Sequence, residues 1–260
     1  MATTLDDFVE QFSTLESLGQ ARESYAEVYK RIDADQKYAA FIKAKTGEEL
    51  NLIDENNPEV GKALGIAGRH EDQKKETVNY LRANIESILA GADNERLVSA
   101  AVFLPHKSEK YKALSELFDS YRDFTLYSNP KVNEGIRENA LSNIKKRLPG
   151  IIKNRILENG KIKDEKEAEK WAMIVFSAAR HDPRYVSKVI NKEYERLEEA
   201  LKTESKGNLK NYIMESLVKD EDYLRFGETL YQTYKQEKSE NSKKVNARIT
   251  PSQMEERMAA

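Results

Sequence analysis

The sequence predicts an all-α protein, an irregular multi-helix bundle or short helical array of roughly ten helices. Three observations predict it. Apolar residues recur at i, i+3, i+4 and i+7 along most of the chain, and all six prolines stand at breaks between such segments. Strand-like alternation is confined to Glu49–Ile53, too short to build a sheet.

Phe8, Phe12 and Leu15 mark the first helix, with Asp6 and Asp7 in its first turn, where negative charge favours the positive end of the helix dipole. Tyr25, Val28, Tyr29 and Ile32 mark the second. The segment 46–69 carries Gly47, Gly61, Gly65 and Gly68 and reads as a hinge or surface loop around a short helix beginning at Pro58. Further stripes follow at Val78, Leu81, Ile85, Ile88 and Leu89, and at Tyr111, Leu114, Phe118 and Tyr121. Trp171, Ile174, Val175 and Ala178 read as the buried face of a helix whose other side carries Glu165, Lys166, Glu169 and Lys170. Val186, Ile190, Leu197 and Leu201 mark the next. Two more stripes run through Leu209, Tyr212, Ile213 and Leu217, then Tyr223, Phe226, Leu230 and Tyr234.

Proline sets the expected boundaries. Asn57-Pro58, Asn129-Pro130, Asp182-Pro183 and Thr250-Pro251 each place a capping side chain before a proline suited to the first helical turn. Pro105 and Pro149 follow apolar segments and read as helix ends. No period of about 34 to 45 residues persists across three units, which favours a bundle over an array. The expected organisation is one helical domain over 1–234 and a flexible tail over 235–260 with a short terminal helix at Pro251.

Composition removes several chemistries. With no cysteine among 260 residues, disulfides, thiolate metal sites, iron–sulfur ligation and a cysteine nucleophile are excluded, and a reducing compartment fits. The longest apolar run, Ala100 to Leu104, is far short of the roughly 20 residues that span a bilayer. The first ten residues hold three acids and no Lys or Arg, unlike a secretory signal. The expectation is a cytoplasmic protein without membrane association.

Charge is segregated along the chain. Residues 1–60 hold 6 basic and 13 acidic side chains, whereas residues 129–192 hold 15 and 8. The densest basic cluster is Lys145, Lys146, Arg147, Lys153, Arg155, Lys161 and Lys163, extended by Arg180, Arg184 and Lys188, with His181 and Lys192 alongside. Such density suits an anionic partner, and the leading expectation is a non-enzymatic interaction or adaptor protein that binds a macromolecular partner, a protein, through this surface. The alternative is an RNA- or DNA-binding protein using segment 145–192. Against that alternative stands an isoelectric point near 6.1.

A third reading is a metal-dependent phosphohydrolase. His70, His106 and His181-Asp182, with Asp220 or Asp222, loosely resemble the histidine and aspartate order of all-helical members of that class. No helical spacing holds these residues toward one cation. The acidic pairs Asp6-Asp7, Asp33/Asp35 and Glu48-Glu49 lack apolar framing that would raise a pKa for acid–base work. Gly61, Gly65 and Gly68 lack the strand and the Gly-Lys-Ser/Thr ending of a phosphate loop. The tyrosines fall mostly on apolar stripes and read as packing residues rather than base-stacking platforms. No cofactor, metal or catalytic set is assigned.

Overall fold

The computed structural model describes residues 4–105, 109–179 and 183–248, and among them the protein is all-α, with ten α-helices and no strand. The helices are α1 (Thr4–Glu23), α2 (Ala26–Thr46), α3 (Pro58–Gly91), α4 (Asn94–Ala101), α5 (Lys112–Ser128), α6 (Glu134–Glu158), α7 (Glu165–Ala179), α8 (Pro183–Thr203), α9 (Lys206–Ser216) and α10 (Asp220–Arg248), with a 3₁₀ turn at Glu109–Tyr111. The helices gather into two compact units, Met1–Gly91 with Lys219–Ala260, and Ala92–Val218.

In the first unit α1 packs on α3 and α10 through aromatic rings. Phe8 and Phe12 lie 5.1 Å apart between centroids, and Phe12 stacks on Tyr231 at 6.0 Å. Val78, Leu81, Ile85, Phe226 and Leu230 complete this core. Polar ties fix the ends of α1: the Tyr80 hydroxyl donates to Thr4 O at 2.6 Å, and Lys235 donates to both Glu16 oxygens at 2.8 Å. α2 buries only Ile32, while Tyr29 donates from its hydroxyl to Ala63 O. Gly47 closes α2 in the left-handed conformation, φ 77°, and its N–H donates to Lys43 O.

Two boundaries differ from expectation here. The expected hinge over 46–69 shrinks to a connection over 47–57, because α3 begins at Pro58 and runs through Gly61, Gly65 and Gly68. Each glycine weakens a helix by ~1 kcal/mol, but Val60, Ala63 and His70 continue the buried stripe across them and packing outweighs propensity. The expected tail from 235 is helical as far as Arg248, and the helix expected at Pro251 lies outside the described residues.

The second unit is centred on Phe124, Ile144, Leu148, Val189, Ile190 and Leu197, from α5, α6 and α8. Tyr121 stacks on Tyr194 at 5.2 Å and 5°, and burial pushes the Tyr121 phenol well above its ordinary pKa. Asp93, Asn133 and Ser205 cap α4, α6 and α9 by accepting from Arg96 N, Gly135 N and Asn208 N. The Asn94 amide donates to Lys202 O and Glu204 O, satisfying carbonyls at the end of α8.

Two prolines here depart from expectation. Asn129-Pro130 does not open a helix: Asn129 ends α5, its side chain accepts from Lys131 N in a turn, and Asn133 caps α6. Pro149 lies inside α6, with Gly150 after it. A proline costs a helix interior ~3 kcal/mol, and α6 continues because Ile144 and Leu148 before it and Ile152 after it are all buried.

α7 is rotated from its expected register. Ala168 and Ala172 are buried, Val175 and Phe176 are half-buried, and Trp171, Ile174 and Ala178 face outward with Met173. The apolar arc of α7 is wider than one face, and its small residues let it approach α6 closely.

Candidate binding surface for an anionic partner

The basic residues of the expected cluster differ in exposure. Arg147, Lys153 and Arg155 are engaged within the unit. Arg147 sets Nη1 2.9 Å from the buried Asp123 carboxylate, off the N–H line, so the contact is a charge pairing rather than a directed hydrogen bond. Lys153 donates to Glu165 at 3.2 Å. Arg155 donates to Val189 O at 3.4 Å and stands 3.8 Å from Glu193. A buried carboxylate is costly unless paired, and Glu193, 4% exposed, is paired twice: Arg196 also grips it from Nε and Nη2, with a shortest contact of 2.6 Å. That grip holds the Arg196 guanidinium above its ordinary pKa.

Lys145, Lys146, Lys161, Lys163, Arg184 and Lys188 are exposed. Lys145 and Lys146 sit on α6; Lys161 and Lys163 follow it beyond Gly160, whose φ of 71° turns the chain out of the helix. Arg180 lies outside the described residues. Arg184 and Lys188 belong to a longer series, Arg184, Lys188, Lys192 and Arg196, every four residues along the exposed side of α8. Helix geometry places successive members ~6 Å apart and rotates each by about 40° toward the next face. The opposite side of α8 buries Val189, Ile190 and Leu197, which fixes the outward aim of the row.

The lower end of the row reaches a groove of about 490 Å³ formed by α5, α6 and α8. Leu117, Phe124, Ile151 and Leu197 line it together with Lys146, Arg147 and Arg196. Basic side chains from two helices thus meet over an apolar floor. Such an arrangement holds and orients an anionic group. Arg196 is the residue that counting cationic density missed, because it stands four positions past Lys192 within an acidic stretch, and only the i, i+4 period links it to the cluster.

The histidine reading gathers no site. His70 is buried in α3 beneath Gly19 of α1, with Nδ1 3.6 Å from Glu71 Oε1 and no hydrogen-bond partner. Burial, then the charges of Lys74 and Arg22, push its pKa down. Asp220 pairs with Arg82, and Asp222 accepts from Lys219 N at 2.9 Å. His106, His181 and Asp182 lie outside the described residues. Among the described residues, no three His, Asp or Glu side chains converge as a metal site requires. Of the acidic pairs, Asp33 is bound to Lys37 and Glu49 to Lys43. No described helix is long and apolar enough to cross a membrane. Comparison with protein-family models, curated proteins and solved structures gives no match.

Proposed function

We propose that the chain is a non-enzymatic interaction protein whose 92–218 unit binds an acidic partner protein. The observation that carries this reading is the row Arg184, Lys188, Lys192 and Arg196, exposed on one helix and continuous with Lys146 at the groove. Two features favour a protein over a nucleic acid. Glu195 stands on the same face of α8 and Glu116 on the groove wall, so the surface carries mixed signs that set a register rather than a uniform phosphate track. The floor beside the row is apolar and suits side chains.

Fluorescence anisotropy with labelled polyglutamate and with single-stranded RNA, at about 50 and 200 mM salt, tests it. Binding of polyglutamate that weakens with salt, and weakens again in the K188Q/K192Q and K145Q/K146Q variants, supports the proposal. Binding of RNA alone transfers the surface to the nucleic-acid reading. Absence of binding at low salt, or binding indifferent to these variants, overturns it.

A further inference from the structure

The first unit holds a cleft of about 460 Å³ between α1, α3 and α10. Phe12, His70 and Tyr231 are its buried members, whereas Gln20, Glu23 and Glu228 stand exposed at its rim. A floor so covered and a volume of this size belong to a small-ligand site rather than to a flat docking face. The cleft is also long. Its lining on α1 runs along one face from Phe12 to Glu23, ~16 Å of helix. Apolar surface lies close to each rim carboxylate: Leu15 is two turns from Glu23 on α1, and Leu224 is one turn from Glu228 on α10.

Once internal pairs are set aside, the charge of the lining has one sign. Glu16 is held by Lys235 and the Tyr231 hydroxyl, and Lys74 by Glu71 at 3.0 Å. Among the described residues, the side chains of Glu23 and Glu228 have neither an ion pair nor a hydrogen bond. His70 is an independent observation. It is 8% exposed, and its imidazole has no hydrogen-bond partner. Nδ1 stands 3.6 Å from the Glu71 carboxylate, which favours the proton on that nitrogen and leaves Nε2 an acceptor. Nε2 faces Gly19, where an added Cβ would lie 3.9 Å from it, so the bare glycine leaves this nitrogen open to the cleft. Unsatisfied acceptors therefore stand at the floor and at the rim, and no unpaired cation lines the cleft with them.

The geometry points to a binding site for a linear diamine or polyamine, with ammonium groups on Glu23, Glu228 and His70 Nε2 and methylenes on the apolar walls. The pairs with the carboxylates are charge-assisted hydrogen bonds, and the ammonium nearest His70 donates to the lone pair of Nε2. Leu15, Leu224 and the ring edges of Phe12 and Tyr231 cover the methylene chain. An inorganic cation would leave those walls unused, and an anion would meet two unpaired carboxylates. The site belongs to the first unit and stands or falls independently of the surface on α8.

Isothermal titration calorimetry of the full chain with spermidine, at about 50 and 150 mM salt, tests this. One site is expected, with affinity falling at least about tenfold in E23Q/E228Q. Neither carboxylate has a partner to lose, so this variant keeps its fold, which far-UV circular dichroism checks. Gly19→Leu fills the cleft, removes no charge and should also lower affinity. E59Q/E86Q removes the same charge from exposed positions of α3 outside the cleft and should bind as the wild type does. n-Butylamine, a single ammonium on the same chain as a lysine side chain, should bind at least about tenfold more weakly than spermidine. Absence of binding at low salt, equal loss in the two double variants, or binding indifferent to Gly19→Leu overturns the inference. Butylamine binding as tight as that of spermidine also overturns it and transfers the cleft to a lysine of another protein.

Discussion

Phe12 lies against the backbone of Gly227, so close that a methyl group added to that glycine would overlap the ring at Cζ and Cε2 and press on Leu81 at 3.0 Å. The contact joins α1 to α10 in the first unit. It reverses the usual sign of a helix substitution: Gly227→Ala should destabilise by ~1–3 kcal/mol, read as a lower denaturant midpoint, although alanine is the better helix former. Gly150→Ala, with open space above it, should stabilise by ~0.5–1 kcal/mol. Equal shifts in the two variants would contradict this packing.

Glu193→Gln removes the charge that holds Arg155 and Arg196 in place. The expected loss is ~1–3 kcal/mol, smaller than for a fully enclosed pair because Arg196 is half exposed and can turn to water. Chemical denaturation measures the loss. A neutral result would show that the two arginines find other partners.

Acid should weaken the first unit through His70. Its folded pKa lies below the ordinary 6.5, so as pH falls the unfolded chain takes up the proton first. The contribution is fully present above pH 6.5 and is lost as pH falls through the folded value, no more steeply than ~1.4 kcal/mol per pH unit for one proton. Glu71, held below its ordinary 4.5 chiefly by Lys74, adds a second loss at lower pH. Stability of His70→Gln against wild type across this range should show a flatter decline below pH 6.5. Parallel curves would remove His70 from the account.

Trp171, the only tryptophan, is 47% exposed on the outer side of α7. Iodide should quench its fluorescence nearly as well as that of the unfolded chain. Strong protection would restore the buried register for this helix that the sequence suggests.

The apolar stripes of α1, α3, α5, α8, α9 and α10 were legible because each is a single row of large side chains at helical spacing: Phe8 and Phe12, Leu81 and Ile85, Ile190 and Leu197, Phe226 and Leu230 all reach the core. α7 was not, since its apolar residues spread over an arc that two rotations can satisfy, and the close approach to α6 selects the alanines. Pro149 misled because local propensity ends a helix there while burial on both sides sustains it. At the candidate surface the density of cations was visible in sequence. The pairing was not: Asp123 and Glu193 come from helices other than those of Arg147 and Arg155, and only folding brings them together.

The first unit is assembled from both flanks of the second, and this orders events on the ribosome. Residues 92–218 are contiguous and can reach their native state as soon as they emerge. Phe8 and Phe12 must wait for Phe226, Leu230 and Tyr231, more than 200 positions later, before their rings are covered. Closing so long a loop is slow, and until α10 emerges α1 has only α3 to pack on, which leaves part of its aromatic face uncovered. Circular permutants that bring α10 next to α1 in sequence would shorten that interval.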